Sequence, residues 1–497
     1  MDFVRNFPFF SIMISMFSGI VSSVLSERAA KWVNRVAVTI IGCLSLVLLL
    51  YLRRTGESYT YMMGHFPAPW GNEIRAGVLE AGTALFFCII MLLSTLGGSA
   101  KLLTEVAPDK QNLYYILINL LMSSLLALVY TNDMFTAYVF VEINTITACG
   151  LIMIRETGRT IEAAVRYMIM SLLGSGLLLL GICILYDLTG HLLMSNMKEQ
   201  VALLAAGGEY EIPLLVSIGL ISVGLAIKSA LFPFHAWLPD AYGYSTASSA
   251  AVLSSLVSKG YIFLLIKLIY RVFGFEVFHD SKIVNVLFVF GLMGMIFGSL
   301  SAIRENDLRR MIAFSSVAQI GYIFMGIGMG TQIAMVASIF HIFAHGATKS
   351  MLFIAGVGLT DASGQSKKFL DLTGAAYRDV YAGAAFAVAS LSMVGLPLFA
   401  GFISKLLFAQ AAVQNQGKML PALIVLGIST VLNAIYFMKT VIRIYTPAGD
   451  AAESRQGFKG RGLYVVTLIG FIILNVLLGV SSQPIVDMIE QGLDMFA

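Results

Sequence analysis

Charge is what this sequence has least of. Of its 497 residues only 12% are Asp, Glu, Lys or Arg, against about 25% in a soluble domain, and 58% are hydrophobic, with a mean hydropathy of +0.85. That is too little charge to cover the surface of a soluble body of this size. The net charge of +4 is small, and nothing in its distribution points to nucleic acid. Cysteine is scarce as well. Cys43, Cys88, Cys149 and Cys183 each lie in an apolar stretch and no CxxC occurs, so neither a metal cluster nor a disulfide framework is indicated. The opening MDFVRNFPFFSIMISMFSGIVSSVL lacks a small-residue cleavage site and reads as a first span, not a signal peptide.

What is present is apolar length. Runs of about 20 residues, each enough to cross a bilayer as a helix, recur from end to end. The expected fold is an all-α membrane protein with about 14 spans, at 3–24, 30–52, 76–98, 112–131, 133–154, 162–186, 212–244, 247–272, 283–303, 310–330, 332–360, 380–416, 419–446 and 462–482. The tail to Ala497 is expected to extend the last helix. Loops and span ends on the odd-numbered side hold eighteen Lys and Arg, those on the other side eight. This bias places the odd loops in the cytoplasm and both termini outside.

Spans 7 and 12 are interrupted. GLAIKSALFPFHAWLPD (224–240) carries Lys228, Pro233, His235, Pro239 and Asp240; SMVGLPLFAGFISKLLF (392–408) carries Gly395, Pro397, Gly401 and Lys405. A proline removes a backbone donor and clashes with the preceding turn, so Pro233 and Pro397 are the expected breaks. Each break falls in the fourth of five helices. Five is odd, so the second set starts on the opposite side: the arithmetic of an inverted repeat, in which paired broken helices point to a transport site. The expected organisation is three N-terminal helices (1–111), a first repeat (112–272), a second (283–446), and a final helix and tail (447–497).

Few charges lie deep in the apolar runs, and each needs a reason, because an ionised group at the bilayer centre costs about 2.5–3.5 kcal/mol or more. They are Glu142 in span 5, Lys228 in span 7, Lys259 in span 8, His341, His345 and Lys349 in span 11, and Lys405 in span 12. The span-11 trio has i, i+4, i+8 spacing, one helix face about 12 Å long. That pitch suits a proton relay, with His235 and Asp240 as further members. Blander readings stand beside it. Lys405 is placed to snorkel, His341 to pack as a satisfied core histidine, and Glu142–Lys228 to be a structural ion pair. HxxxH offers two ligands where a metal wants more.

NDMFTAYVFVE, KSALFPFHAWLPDA, LSSLVSKGYIFLL, NDLRRMIAFSSVAQIGYI, HIFAHGATKSMLF and GLPLFAGFISKLL resemble, in this order, the antiporter-like subunits of respiratory complex I. They are more similar still to the D-type subunit of Mrp sodium/proton antiporters and its homologue in membrane-bound hydrogenases. The resemblance covers residues 75 to 445. It implies two inverted five-helix bundles around a hydrophilic axis in mid-membrane. It also assigns Glu142, Lys228, Lys259, His345, Lys349 and Lys405 to proton transfer, and it implies partner membrane subunits. Protons are the implied cargo, with sodium open. No residue pattern binds flavin, quinone, nickel or an iron–sulfur cluster, so no cofactor is expected in this chain. Three departures stand out. Tyr242, Thr246 and Ser248 replace the usual histidine and two prolines after LPDA, Glu80 replaces an aspartate, and Asn144, Thr145 and Thr147 make span 5 unusually polar. A stand-alone solute carrier and a structural scaffold with inert ion pairs are the competing readings.

Overall fold

The computed structural model describes residues 2–63, 66, 72–208, 210–447 and 461–496. Among them, thirteen helices are long and apolar enough to cross a membrane, and the interrupted pair Val380–Val394 and Ala400–Gln414 makes a fourteenth crossing. Span numbers below follow the sequence order. The protein is an all-α, multi-pass membrane protein. Its helix ends fall within a few residues of those expected, apart from a longer span 3, Val78–Glu105.

Two of the spans that carry deep charges, 8 and 11, are the most enclosed. Every residue in the central stretch of spans 8 (Ala247–Phe273) and 11 (Gln332–Asp361) is buried, against about a third in span 2 (Glu27–Thr55). Outer helices therefore face lipid or neighbours, and the polar residues sit in the middle. Glycine permits the closest approaches. A Cβ on Gly174 of span 6 would meet the Gly224 carbonyl of span 7 at 2.8 Å, and one on Gly224 would meet the Gly174 carbonyl at 2.7 Å.

Both termini lie on one face with the even-numbered loops. Tyr59 Oη donates to the Arg5 carbonyl at 3.1 Å, Arg53 to Pro484 at 2.6 Å, and Gln332 to Asp494 at 2.8 Å. The opposite face is tied by Lys101–Asp361 at 2.5 Å, Lys110–Glu156 at 3.1 Å and Arg309–Glu105 at 3.4 Å.

Three elements were not expected. A two-stranded antiparallel hairpin pairs Tyr59–Met62 with Glu73–Ala76. A helix Met194–Gly207 follows span 6. The tail does not extend span 14 (Arg461–Val480): the chain turns at Ser481 and restarts as Gln483–Asp494, with a proline in its first turn, where no amide partner is needed. This amphipathic helix presses Gly492 against Leu79 of span 3, 2.3 Å from where a Cβ would stand.

Candidate proton-transfer site

The two broken helices end alike. In span 7 the helix Glu211–Lys228 closes with Leu231 N–H donating to the Ala226 carbonyl and Ala230 N–H to Ile227, both at 3.0 Å. In span 12 the helix Val380–Val394 closes with Leu396 N–H donating to Leu391 at 3.1 Å and Gly395 N–H to Ser392 at 3.0 Å. Both are Schellman closures, with a left-handed residue just past the helix. That residue is Gly395 (φ +93°) in span 12 but Ala230 (φ +61°) in span 7. The prolines lie inside the gaps, yet they are not where the helices stop. Pro233 and Pro397 come three and two residues after the left-handed position, as prolines commonly do beyond a helix end. Each break therefore holds its proline, while the helix before it ends at the left-handed residue.

The closure at Lys228 leaves its side chain pointing away from the gap. The ammonium lies 3.7 Å from Glu142 Oε1 and donates to Thr145 Oγ1 at 2.7 Å, both on span 5. It also stands 5.5 Å over the Tyr261 ring of span 8. Lys228 is 1% exposed, whereas the Glu142 side chain is 24% exposed on the outer wall of the bundle. Pro233, in the gap, is itself exposed.

Lys259 is fully buried and donates to the Ser254 carbonyl at 2.6 Å and Ser258 Oγ at 3.1 Å. A π-helical turn, Leu253–Val257, precedes it directly; such wide turns recur at functional sites. Ser255 Oγ meets Ser350 Oγ of span 11 at 2.6 Å, one residue from Lys349. Lys349 donates to the Ile312 carbonyl at 2.9 Å and to Ser315 Oγ in span 10 (Leu308–Met329).

The span-11 histidines stack, ring centroids 5.8 Å apart and 5° from parallel. His341 Nδ1 hydrogen-bonds Ser404 of span 12; among the described residues neither ring nitrogen of His345 has a hydrogen-bond partner. Beside them lies a void of about 10 Å³, lined by Gln319, His341, His345, Thr348, Ser392 and Lys405. That is about the space one water needs, among polar groups able to hold it. Lys405 donates to the Val394 carbonyl at 2.7 Å and to Thr430 Oγ1 at 3.1 Å. It does not snorkel: its ammonium closes the end of the broken helix it follows.

Side-chain hydrogen bonds thus link span 7 to span 5 (Lys228–Thr145), span 5 to span 8 (Thr145–Tyr261), span 8 to span 11 (Ser255–Ser350) and span 11 to span 12 (His341–Ser404). Two residues stand apart. Asp240 is held between Arg310 and Arg166, the latter at 3.0 Å, on the odd-loop face. His235 stacks on Phe232 at 5.3 Å in the span-7 gap. The Tyr242 and Thr246 departures have a local reason. Tyr242 is buried and donates to the Leu253 carbonyl at 3.3 Å, and Thr246 caps the N-terminus of span 8 through Ser249 N–H at 3.0 Å. Lys267 was not anticipated from the sequence. It is fully buried and donates to the Val129 and Thr131 carbonyls at 2.6 Å each, fastening the end of span 4; its position inside LLIKLIY was the available signal.

A polytopic bundle with two broken helices and an enclosed series of lysines defines an ion-translocating membrane subunit. The chain belongs to the NADH:quinone oxidoreductase/Mrp antiporter transmembrane family, which it matches over residues 131–432. It is 31% identical to the N-type subunit of NADH-quinone oxidoreductase from Desulforudis audaxviator, over 88% of this chain and 86% of that one. It is 25% identical to the D-type subunit of the Na(+)/H(+) antiporter from Alkalihalophilus pseudofirmus, over 85% and 83%. Among solved structures, a chain of the Mrp complex from Dietzia sp. shares the fold with a TM-score of 0.86 at 21% identity, covering 99% of this chain and 97% of that one. A chain of an archaeal membrane-bound sulfane sulfur reductase does so with a TM-score of 0.88 at 23% identity, covering 100% and 98%.

Proposed function

We propose that this antiporter-like subunit moves protons along Glu142, Lys228, Lys259, His345, Lys349 and Lys405, within a multisubunit cation/proton antiporter of the Mrp type. One observation carries the reading: three buried lysines and the half-buried Lys405 share a single carboxylate. Only Lys228 has an ion-pair partner among the described residues; Lys259, Lys349 and Lys405 have neutral oxygens. In a low-dielectric interior, a charge on one lysine opposes a charge on the next, so protons displace one another along the series. Four lysines charged at the same time would need further carboxylates, because unpaired buried charges are costly.

The partly exposed Glu142 also argues for neighbours. It lies on a wall with Phe135 and Ile146, 52% and 61% exposed. A carboxylate facing hydrocarbon is costly, so another membrane subunit covers it. The Lys and Arg bias between loops supports a cell-membrane orientation with both termini outside. A second reading, an ion-pumping subunit of an NADH- or ferredoxin-linked complex, is favoured by the 31% identity to a quinone oxidoreductase subunit.

Glu142→Gln and Lys228→Ala test the proposal in everted vesicles carrying the complete complex, with a pH-sensitive dye. Both are expected to assemble and to lose coupled transport; wild-type transport in either contradicts it. The subunits that co-purify with the chain decide between the two assemblies.

A further inference from the structure

The shortest bond to the Lys228 ammonium comes from a hydroxyl, not from the carboxylate. Thr145 Oγ1 accepts at 2.7 Å, while Glu142 Oε1 stands off at 3.7 Å and has no hydrogen bond among the described residues. Thr145 is fully buried, and its surroundings are built. Its own hydroxyl proton goes to the Val141 carbonyl at 2.9 Å, one turn back. Tyr261 Oη lies 3.3 Å from Thr145 Oγ1 and 3.1 Å from Asn144 Oδ1, so its proton is shared between the two acceptors, and Asn144 Nδ2 donates to Ser124 Oγ at 3.1 Å. Four buried polar side chains from spans 4, 5 and 8 thus form one network ending at the lysine. Behind Lys228, Gly174 leaves its stem little room: a Cβ there would stand 3.1 Å from Lys228 Cγ.

We infer that Thr145, backed by Tyr261 and Asn144, is a second station for Lys228, holding its nitrogen when the pair with Glu142 is open. The inference rests on the relay proposed above. The chemistry separates the two partners. An ionised carboxylate can only accept, so it serves the N–H groups of lysine but offers nothing to the lone pair that the amine exposes. A hydroxyl accepts from the ammonium and, after rotating its O–H from the Val141 carbonyl, donates to the lone pair of the amine. Lys228 can therefore lose its proton at Thr145 without leaving a buried nitrogen unpaired. The proton given up is taken by the neutral amine of Lys259, the next basic group of the proposed series, which becomes the ammonium as Lys228 becomes the amine. Thr145 and Tyr261 act through Lys228 and are positioning residues. The blander reading is that the span-5 hydroxyls only glue helices together, as polar groups in membranes do.

Thr145→Val keeps the shape and deletes the hydroxyl; Thr145→Ser keeps the hydroxyl and deletes a methyl. In vesicles carrying the complete complex, transport per assembled complex is expected to fall about tenfold or more in T145V, the scale set by a buried hydrogen-bonding group left unpaired. It is expected to return to within about twofold of wild type in T145S, where that group is restored. T145V near the wild-type rate overturns the inference, as does T145S falling as far as T145V. Should T145V not assemble, Tyr261→Phe decides: a clear loss of transport supports the station, and unchanged transport rejects it. E142Q in the same assay separates the failures. If E142Q is inactive while T145V is active, only the station is wrong; if both are active, the relay itself is.

Discussion

The two broken helices make the same turn and use their lysines differently. Each ends in a Schellman closure, at Ala230 and at Gly395. In span 7 the lysine is the last helical residue, and its ammonium reaches across to Thr145 and Glu142 on span 5. In span 12 the lysine comes after the gap and its ammonium returns to the Val394 carbonyl at the end of its own first half. Lys228 is thus free of its helix's architecture, while Lys405 is part of it. The two gaps also differ in how the left-handed position is filled, with glycine in one and alanine in the other. A pair of sites that look equivalent in the sequence divides into a lysine free to exchange partners and one that also holds a helix end.

The largest effect expected from this difference is at the lysines themselves. Lys228→Met should cut transport per complex about 100-fold, the scale of a lost proton-transfer group, at unchanged complex yield. Lys405→Met should lower transport and also yield, because the Val394 carbonyl loses its partner at a cost of about 1–3 kcal/mol. Equal yields for the two mutants would erase the distinction. Next, His345→Ala and Lys349→Ala should each reduce transport about tenfold or more, general acid–base groups typically being worth at least this. His341→Ala, whose Nδ1 is already engaged by Ser404, should do less. An active His345→Ala beside an inactive His341→Ala would reverse their roles.

Smaller effects probe the closures. Gly395→Ala forces a Cβ into the left-handed region, costing about 1–2 kcal/mol. It also sets that Cβ 2.9 Å from Lys405 Cδ. Ala230→Gly relieves the same strain and should raise the midpoint of thermal unfolding of the purified complex by a few degrees. A rise for Gly395→Ala would show that the closures are misassigned. The smallest effect lies outside the spans. Burial, and next the Arg309 charge, lower the Lys367 pKa to about 7. The unfolded chain then binds more protons here than the folded one between about pH 7 and the usual lysine value near 10.4, so this residue's contribution to stability grows as pH rises through that window. Lys367→Gln should remove that part of the pH dependence in a thermal-unfolding series; an unchanged slope would count against it.

Much of this was legible in the sequence, and for physical reasons. Apolar length fixes where helices cross, and a charge stranded in such a run announces itself, which is why Glu142, Lys228, Lys259 and Lys349 could be named. Proline is a conspicuous signal in both interrupted spans, whereas Ala230 shows its left-handed conformation only in the fold. Thr145 was visible as one of several polar residues, but its bond to a lysine 83 positions away depends on how spans 5 and 7 pack. The hairpin, the helix Met194–Gly207 and the tail helix were missed because they are short and lie across the ends of spans, where no long apolar run marks them.

Lys259 stands between the two broken helices, and its ammonium is held by the Ser254 carbonyl and the Ser258 hydroxyl, both from its own span. Losing it therefore unties no other helix. Proton flux per assembled complex in Lys259→Met, read with a pH-sensitive dye in vesicles, tests the central claim most directly. The relay predicts that flux is lost while the complex assembles at wild-type yield; flux close to that of wild type would contradict it.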